Sequence, residues 1–258
     1  MKQGMYFQFI VLVLTCAWIY LGTLKGRQNK ELPPVRRIAG LDALEEAVGR
    51  ATELDKPVYI TPGGGGLQDE GSVQTLAGLS IMEHTVRMCA RYKAPFWISM
   101  RAAETYAVAE EMVRGALAQE GMLELYRDDT VEYYSSEQFA FAMGTLSRME
   151  RDGVAAAVLV GFFQAESLLL AEGSAQHGAI TIGGCARTSQ IPFFVVACDY
   201  VLIGEEMIIG GAYLSKDSSQ LWAIWAQDGV KLAGVLFLLI GAILYSMGNP
   251  SFSNLVRW

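Results

Sequence analysis

Two long stretches without a charge, one near each end, limit what this chain can fold into more than any other feature. Met5 to Leu24 (MYFQFIVLVLTCAWIYLGTL) is twenty residues, which at about 1.5 Å per residue matches a hydrocarbon core of roughly 30 Å. Leu232 to Met247 (LAGVLFLLIGAILYSM) is sixteen residues, near the short limit. It is workable as a span because Lys231 can reach towards headgroups, while Trp222 and Trp225 stand about two to three turns earlier as interface anchors. A share of 52% hydrophobic residues and a mean hydropathy of +0.27 are high for a soluble chain of 258 residues, and the excess lies at these ends. A cleaved signal peptide is the alternative for the first run. The length of the run, and the lack of a small-x-small site before the basic cluster, weigh against it.

Basic residues orient the spans. Lys25, Arg27, Lys30, Arg36 and Arg37 follow the first run and only Lys2 precedes it, while Lys216 and Lys231 precede the second and only Arg257 follows it. The expectation is an inner (cytoplasmic) membrane protein with its N-terminus outside and its middle in the cytoplasm. The parts are an N-terminal transmembrane helix at 1–24, a basic juxtamembrane segment at 25–37, a domain at 38–230, a C-terminal transmembrane helix at 231–248 and a short external tail at 249–258. Residues 38–230 hold 12 Lys and Arg against 26 Asp and Glu, a net of −14. Such a domain repels a nucleic-acid backbone, so nucleic acid is not an expected partner. The basic segment suits anionic membrane lipid, or serves as a topology signal alone. Cys16, Cys89, Cys185 and Cys198 show no paired framework, as a reducing compartment implies.

The middle alternates helical and strand patterns. Leu41 to Leu54 has apolar positions at 41, 44, 48 and 51, the spacing of an amphipathic helix. Strand PVYIT, helix GSVQTLAGLSIMEHTVRMCARY, strand PFWISM and a long helix from about Ala102 to Tyr126 follow. A further helix spans about Ser136 to Arg151, then a buried central strand VAAAVLVGFF and a short helix QAESLLLAEGSAQ. Helices between apolar strands argue for parallel pairing through crossovers. AITIG and IPFFVVAC read as two more strands joined by only about seven residues, too few for a crossover, so an antiparallel pair is expected there. A helix from Asp199 and a last helix, SSQLWAIWAQDGVKL, running into the second span complete the reading. The fold class is therefore α/β, with a mixed, mostly parallel sheet, flanking helices and one transmembrane helix at each end.

PGGGG (Pro62 to Gly66) invites a phosphate loop, but its details oppose one. A dinucleotide fingerprint on Gly63 and Gly65 requires glycine where Gln68 stands. Gly66 and Gly71 have Walker spacing before Ser72 but lack the lysine, and Asp69 and Glu70 repel phosphate. A tight, flexible turn or a backbone contact with a neighbouring chain is the plainer reading, ahead of an anion or of a cation or sugar held by Asp69 and Glu70. Gly183-Gly184, beside Arg187, Thr188 and Ser189, suits a hairpin turn more readily than an anion site. Gly210-Gly211 reads as a close helix crossing or the fraying end of a helix. Ligands of open α/β sheets collect beyond the carboxyl ends of strands. The candidate binding set is accordingly Gly63, Gly64, Gly65, Gly66, Ser99, Arg101, Gln164, Glu166 and Asp199, with Thr61 and Glu104 nearby. Arg101 with Glu166 or Asp199 is equally readable as a structural ion pair. His84 and Cys89 do not share a helix face, His177 is isolated, and no C-x-x-C, H-E-x-x-H or G-x-S-x-G occurs, so no catalytic residue, metal or cofactor is expected. Small residues, Ala233-Gly234 and Gly241-Ala242 on the second span with Ala17 and Gly22 on the first, allow close helix packing within one chain or between chains.

Two stretches, GGGGLQDEGSVQTLAGLSIMEHTVRMCA and IPFFVVACDYVLIGEEMIIGGAYLS, resemble a prokaryotic membrane-anchored family catalogued as a domain of unknown function. The resemblance extends from about residue 40 through the second span. It implies a fold and a membrane attachment, and it brings no catalytic residues. The resulting expectation is a structural protein that self-associates or holds partner subunits at the cytoplasmic membrane face. The contrasting expectation is a sensor or enzyme with a small-molecule pocket at the strand tips.

Overall fold

The structure is a computed structural model that describes residues 3–28, 32–33 and 36–247. Lys2, Lys30, Arg257 and the tail expected at 249–258 lie outside the described residues. In chain order the elements are α1 (Gln3–Gln28), α2 (Ala39–Leu54), β1 (Val58–Gly63), α3 (Ser72–Tyr92), β2 (Phe96–Met100) and α4 (Ala103–Gln119). A 3-10 turn (Leu123–Leu125), β3 (Val131–Tyr133), α5 (Gln138–Asp152), β4 (Ala156–Phe162), α6 (Glu166–Gln176), β5 (Ile180–Cys185) and α7 (Ile191–Ala197) come next. The chain ends in β6 (Tyr200–Ile203), α8 (Glu205–Ile208), α9 (Gly210–Ser215) and α10 (Ser218–Ser246). Two compact units emerge, one of residues 37–215 and one combining 1–36 with 216–258.

Residues 37–215 form a six-stranded sheet in the order β3-β2-β1-β4-β5-β6, and every neighbouring pair is parallel. Full burial of β1, β4 and β5 explains their near-continuous apolar character, since helices cover both faces of a parallel sheet. Alternate residues divide between two cores. Val58, Ile60, Val158 and Val160 meet α2, α3 and α4, whereas Tyr59, Trp97, Ala157 and Leu159 meet α5, α6 and α7. Tyr59 and Trp97 stack with ring centroids 4.4 Å apart.

The α/β class, the flanking helices and VAAAVLVGFF as a central strand agree with the sequence reading. The antiparallel pair does not. IPFFVVAC forms α7, opened by Pro192 in its first turn, where the missing N–H of proline costs nothing. The true link from β5 to β6 is then residues 186–199, long enough for a parallel crossover. Tyr200 to Ile203, expected in a helix beginning at Asp199, is strand β6, and two short helices follow it. The helix expected to reach Tyr126 stops at Gln119, with Gly121 at φ +69 just beyond, and the three-residue β3 has no counterpart in the sequence reading.

In the other unit, α1 and α10 pack against each other within one chain. Both are long and apolar enough to cross a membrane, and α10 joins the last polar helix to the second apolar run without a break. Close approach comes from Gly22 and Gly26 against Trp222, Ala226 and Ser218. In the expected stripe, Gly241 is buried, but Ala233, Gly234 and Ala242 are exposed, with nothing within 4 Å of a Cβ built on Gly234.

Candidate functional site

The strand order turns at β1 and β4. β1 leads through α3 to β2 on one side, and β4 leads through α6 to β5 on the other. The loops leaving their carboxyl ends diverge there, the position where sheets of this order take ligands. A bulge marks the place. The β1–β4 register holds from Val58↔Ala156 to Thr61↔Leu159 and slips to Gly63↔Phe162, beside Pro62, which has no N–H to give a ladder. Gly63 (φ +81) and Gly161 (φ +154) make the slip possible. A Cβ on Gly161 would lie 1.9 Å from the Pro62 carbonyl oxygen.

The glycine run beyond β1 is packed on by side chains at successive positions. A Cβ on Gly64 would meet Arg101 Nε at 1.9 Å, one on Gly65 Thr75 Oγ1 at 2.3 Å, and one on Gly66 Glu104 Oε1 at 2.1 Å. The amides of Gly64, Gly66, Leu67 and Gly71 are also occupied. Asp69 accepts from Gly66 N at 2.8 Å and Gly71 N at 2.9 Å, Glu104 accepts from Leu67 N at 2.8 Å, and Gly64 N donates to Phe162 O at 2.8 Å. Two carboxylates of the chain thus take the seat that a phosphate takes in a nucleotide loop.

Arg101, just past β2, ties three strand tips together. It donates to Gly64 O at 2.9 and 3.3 Å, to Gln164 Oε1 at 3.2 Å and to Glu166 Oε1 at 3.3 Å. Glu166 is fully buried, and its second oxygen accepts from Gln164 N at 3.2 Å. Beside this clamp, Arg187 lies 5.0 Å above the Phe162 ring, and Gln74 on α3 accepts from Ala186 N at 3.0 Å. The expected set is therefore brought together at Gly63, Gly64, Gly65, Gly66, Arg101, Gln164 and Glu166, with Glu104.

Ser99 and Asp199 do not join it. Ser99 is buried in the α5 face, bonded to Tyr59 Oη at 2.8 Å. Asp199 precedes β6 instead of ending a strand, because IPFFVVAC is a helix, and so it lies at the opposite, amino-terminal end of the sheet. There it accepts from Thr181 N at 2.8 Å and Thr181 Oγ1 at 2.9 Å, and lines a cleft of about 410 Å³ with Glu46, Arg50 and Tyr200. Gly183 and Gly184 lie inside β5 and not in a turn; Phe194 and Cys198 press on the first, Val160 and Leu202 on the second. Gly210 and Gly211 do make a close crossing, against Ile81 and Ser80 of α3. The sequence reading missed Gln74 and the amide-capping role of Asp69 and Glu104. Asp69 shows a signal in hindsight: a carboxylate between two glycines can close an Asx-type turn.

The residues of the clamp are paired, and of the two thiols on this part of the sheet Cys185 ends β5 beside the clamp while Cys198 lies next to Asp199 at the other end. Burial raises the Cys185 thiol, and it pushes Cys198 up to about 12. Among the described residues no group of three His, Cys, Asp or Glu is placed to hold a metal ion. The arrangement holds four loops in fixed relation.

The model of a domain of unknown function, DUF6754, matches residues 1–256. The chain belongs to this family. The match takes in both apolar helices as well as the sheet, so the DUF6754 unit spans both of the compact units described above. No curated protein and no solved structure matches it.

Proposed function

We propose that this DUF6754 chain is a membrane-anchored scaffold that self-associates, or holds partner subunits, at the cytoplasmic face. One observation carries the reading: α7 is uncharged throughout (IPFFVVA) and buries only Phe194, leaving Phe193, Val195 and Val196 exposed, Val196 by 85%. A helix that is apolar on all sides but packed on one asks for a second partner. Orientation and compartment follow from the basic residues after the first run, with the acidic domain facing the cytoplasm.

The occupied amides of the glycine loop count in the same direction, since a phosphate has to displace Asp69 or Glu104 to bind there. The test is a pair of α7 variants, Val196→Glu and Phe193→Ser, in detergent. The proposal expects the particle mass to drop to that of one chain with the melting temperature preserved. An unchanged assembly would overturn α7 as the contact.

A small-molecule site at the strand tips is the second reading, favoured by the strand order itself, which sets Gly63 to Gly66 and Gln164 to Glu166 on the two sides of the switch point. A metabolite that raises the melting temperature of the wild type but not of Arg101→Lys would move the assignment to this reading.

A further inference from the structure

α1 and α10 run antiparallel, and their contacts fix the register. Lys25 Nζ lies 4.2 Å above the Trp222 ring, and Trp18 Nε1 is 3.6 Å from a Cβ built on Gly229. Between these, a Cβ on Gly22 would lie 2.7 Å from Ala226 Cβ. Residue 25 is thus level with 222, residue 18 with 229, and residue 16 with 231.

The two uncharged runs therefore do not end together. The first ends at Leu24, level with about residue 223, while the second begins only after Lys231, level with Cys16. Eight residues of helix separate these ends, about 12 Å at ~1.5 Å per residue. A single flat hydrocarbon boundary cannot pass through both.

Placing the boundary at Leu24 puts Asp228 and Lys231 into lipid. They form an ion pair at 3.2 Å, with side chains 64% and 50% exposed on the outside of the hairpin. A charged side chain opposes insertion several times more strongly than a leucine favours it. Placing the boundary at Lys231 leaves outside the hydrocarbon a section that carries Trp18, Tyr20 and Trp225, all exposed, together with half-buried Trp222. Aromatic rings with a polar edge favour the headgroup level.

We propose that the hydrocarbon boundary crosses the hairpin at the level of Cys16 and Lys231, and that the section from there to Lys25 and Trp222 is a collar seated in lipid headgroups. The partner of this surface is the membrane interface, which takes the indole and phenol edges and the Asp228–Lys231 pair. The hydrocarbon then holds α10 only from Leu232 onward, about 16 residues or ~24 Å, and of the 20-residue first run only Met5 to Thr15, about 16 Å, so the bilayer thins locally or Lys231 extends outward. The inference rests on the membrane reading above.

The test uses the full chain in lipid nanodiscs, which expose both faces. Single cysteines are placed at exposed positions, Leu21→Cys and Trp225→Cys in the collar and Ile10→Cys and Leu238→Cys in the core, on a Cys16→Ser background. That background without an added cysteine serves as the blank. The proposal expects a water-soluble maleimide to label the collar positions at least about tenfold faster than the core positions, as exclusion of water from hydrocarbon requires. Collar positions as slow as Ile10→Cys would overturn the collar while leaving the membrane reading intact. Core positions as fast as the collar would overturn both. A second readout needs no cysteine: in a Trp258→Phe variant, lipids brominated near the headgroup should quench tryptophan emission more than lipids brominated deep in the chains. The reverse order would contradict the proposal.

Discussion

At the scale of single residues, two features of the strand tips should dominate the response to mutation. Gly161 combines φ +154 with a carbonyl 1.9 Å from any Cβ. Gly161→Ala should cost about 2–4 kcal/mol, measured by chemical denaturation, from backbone strain plus a clash inside a packed sheet. A loss under about 0.5 kcal/mol would mean that the bulge is not needed. Arg101→Ala leaves Glu166 buried without its cation, which should cost about 3–5 kcal/mol, whereas Arg101→Met with Glu166→Gln should recover most of the loss. His84 supplies a pH dependence. Burial, followed by Arg91 and Arg87, holds its pKa below the ordinary value. The unfolded chain therefore takes up the proton first, and stability declines as pH falls through about 6.5. His84→Gln should remove that part of the slope, and an identical slope in the variant would exclude His84 as its source. These residues were partly legible in the sequence. Arg101 could be picked out because it directly follows an apolar strand, and Glu166 because it stands a few residues past another. Asp69 and Glu104 as partners of loop amides depend on the path of the loop, which local spacing does not encode.

At the scale of elements, periodicity served where burial is one-sided or complete. The amphipathic pattern of α2, and the largely apolar runs of β1, β2 and β4, each lead to one answer. The failures share a cause. IPFFVVAC is rich in residues that favour strands, yet Pro192 and the crossover from β5 to β6 make it a helix, since propensity is overridden when topology demands a connection. Assigning it as a strand also misplaced Asp199 by the full length of the sheet. The exposed face of α7 was invisible for the same reason, because a strand of that sequence would be buried. β3 is only three residues long, and it exists because β2 offers it an edge. A prediction belongs here too. Asp69→Ala removes the acceptor for both Gly66 N and Gly71 N, so amide exchange at those positions should accelerate about tenfold or more, while amides in the middle of α3 stay protected. Uniform acceleration throughout α3 would show instead that the loop and the helix open as one unit.

At the scale of the whole molecule, the sequence announced two apolar ends and an acidic α/β middle, and the structure has two candidate membrane helices and a six-stranded parallel sheet. The register between the helices is not legible in the sequence, because the length of each apolar run sets its fit to the bilayer but not its offset from the other run. The scaffold reading adds a claim of a different kind: a domain that fills its own ligand crevice and exposes an apolar helix functions through what it assembles. The mass of the wild-type particle in detergent, from light scattering with the detergent contribution subtracted, tests that claim most directly. The account predicts a uniform multiple of the 28.2 kDa chain. A particle of one chain at all concentrations would contradict self-association.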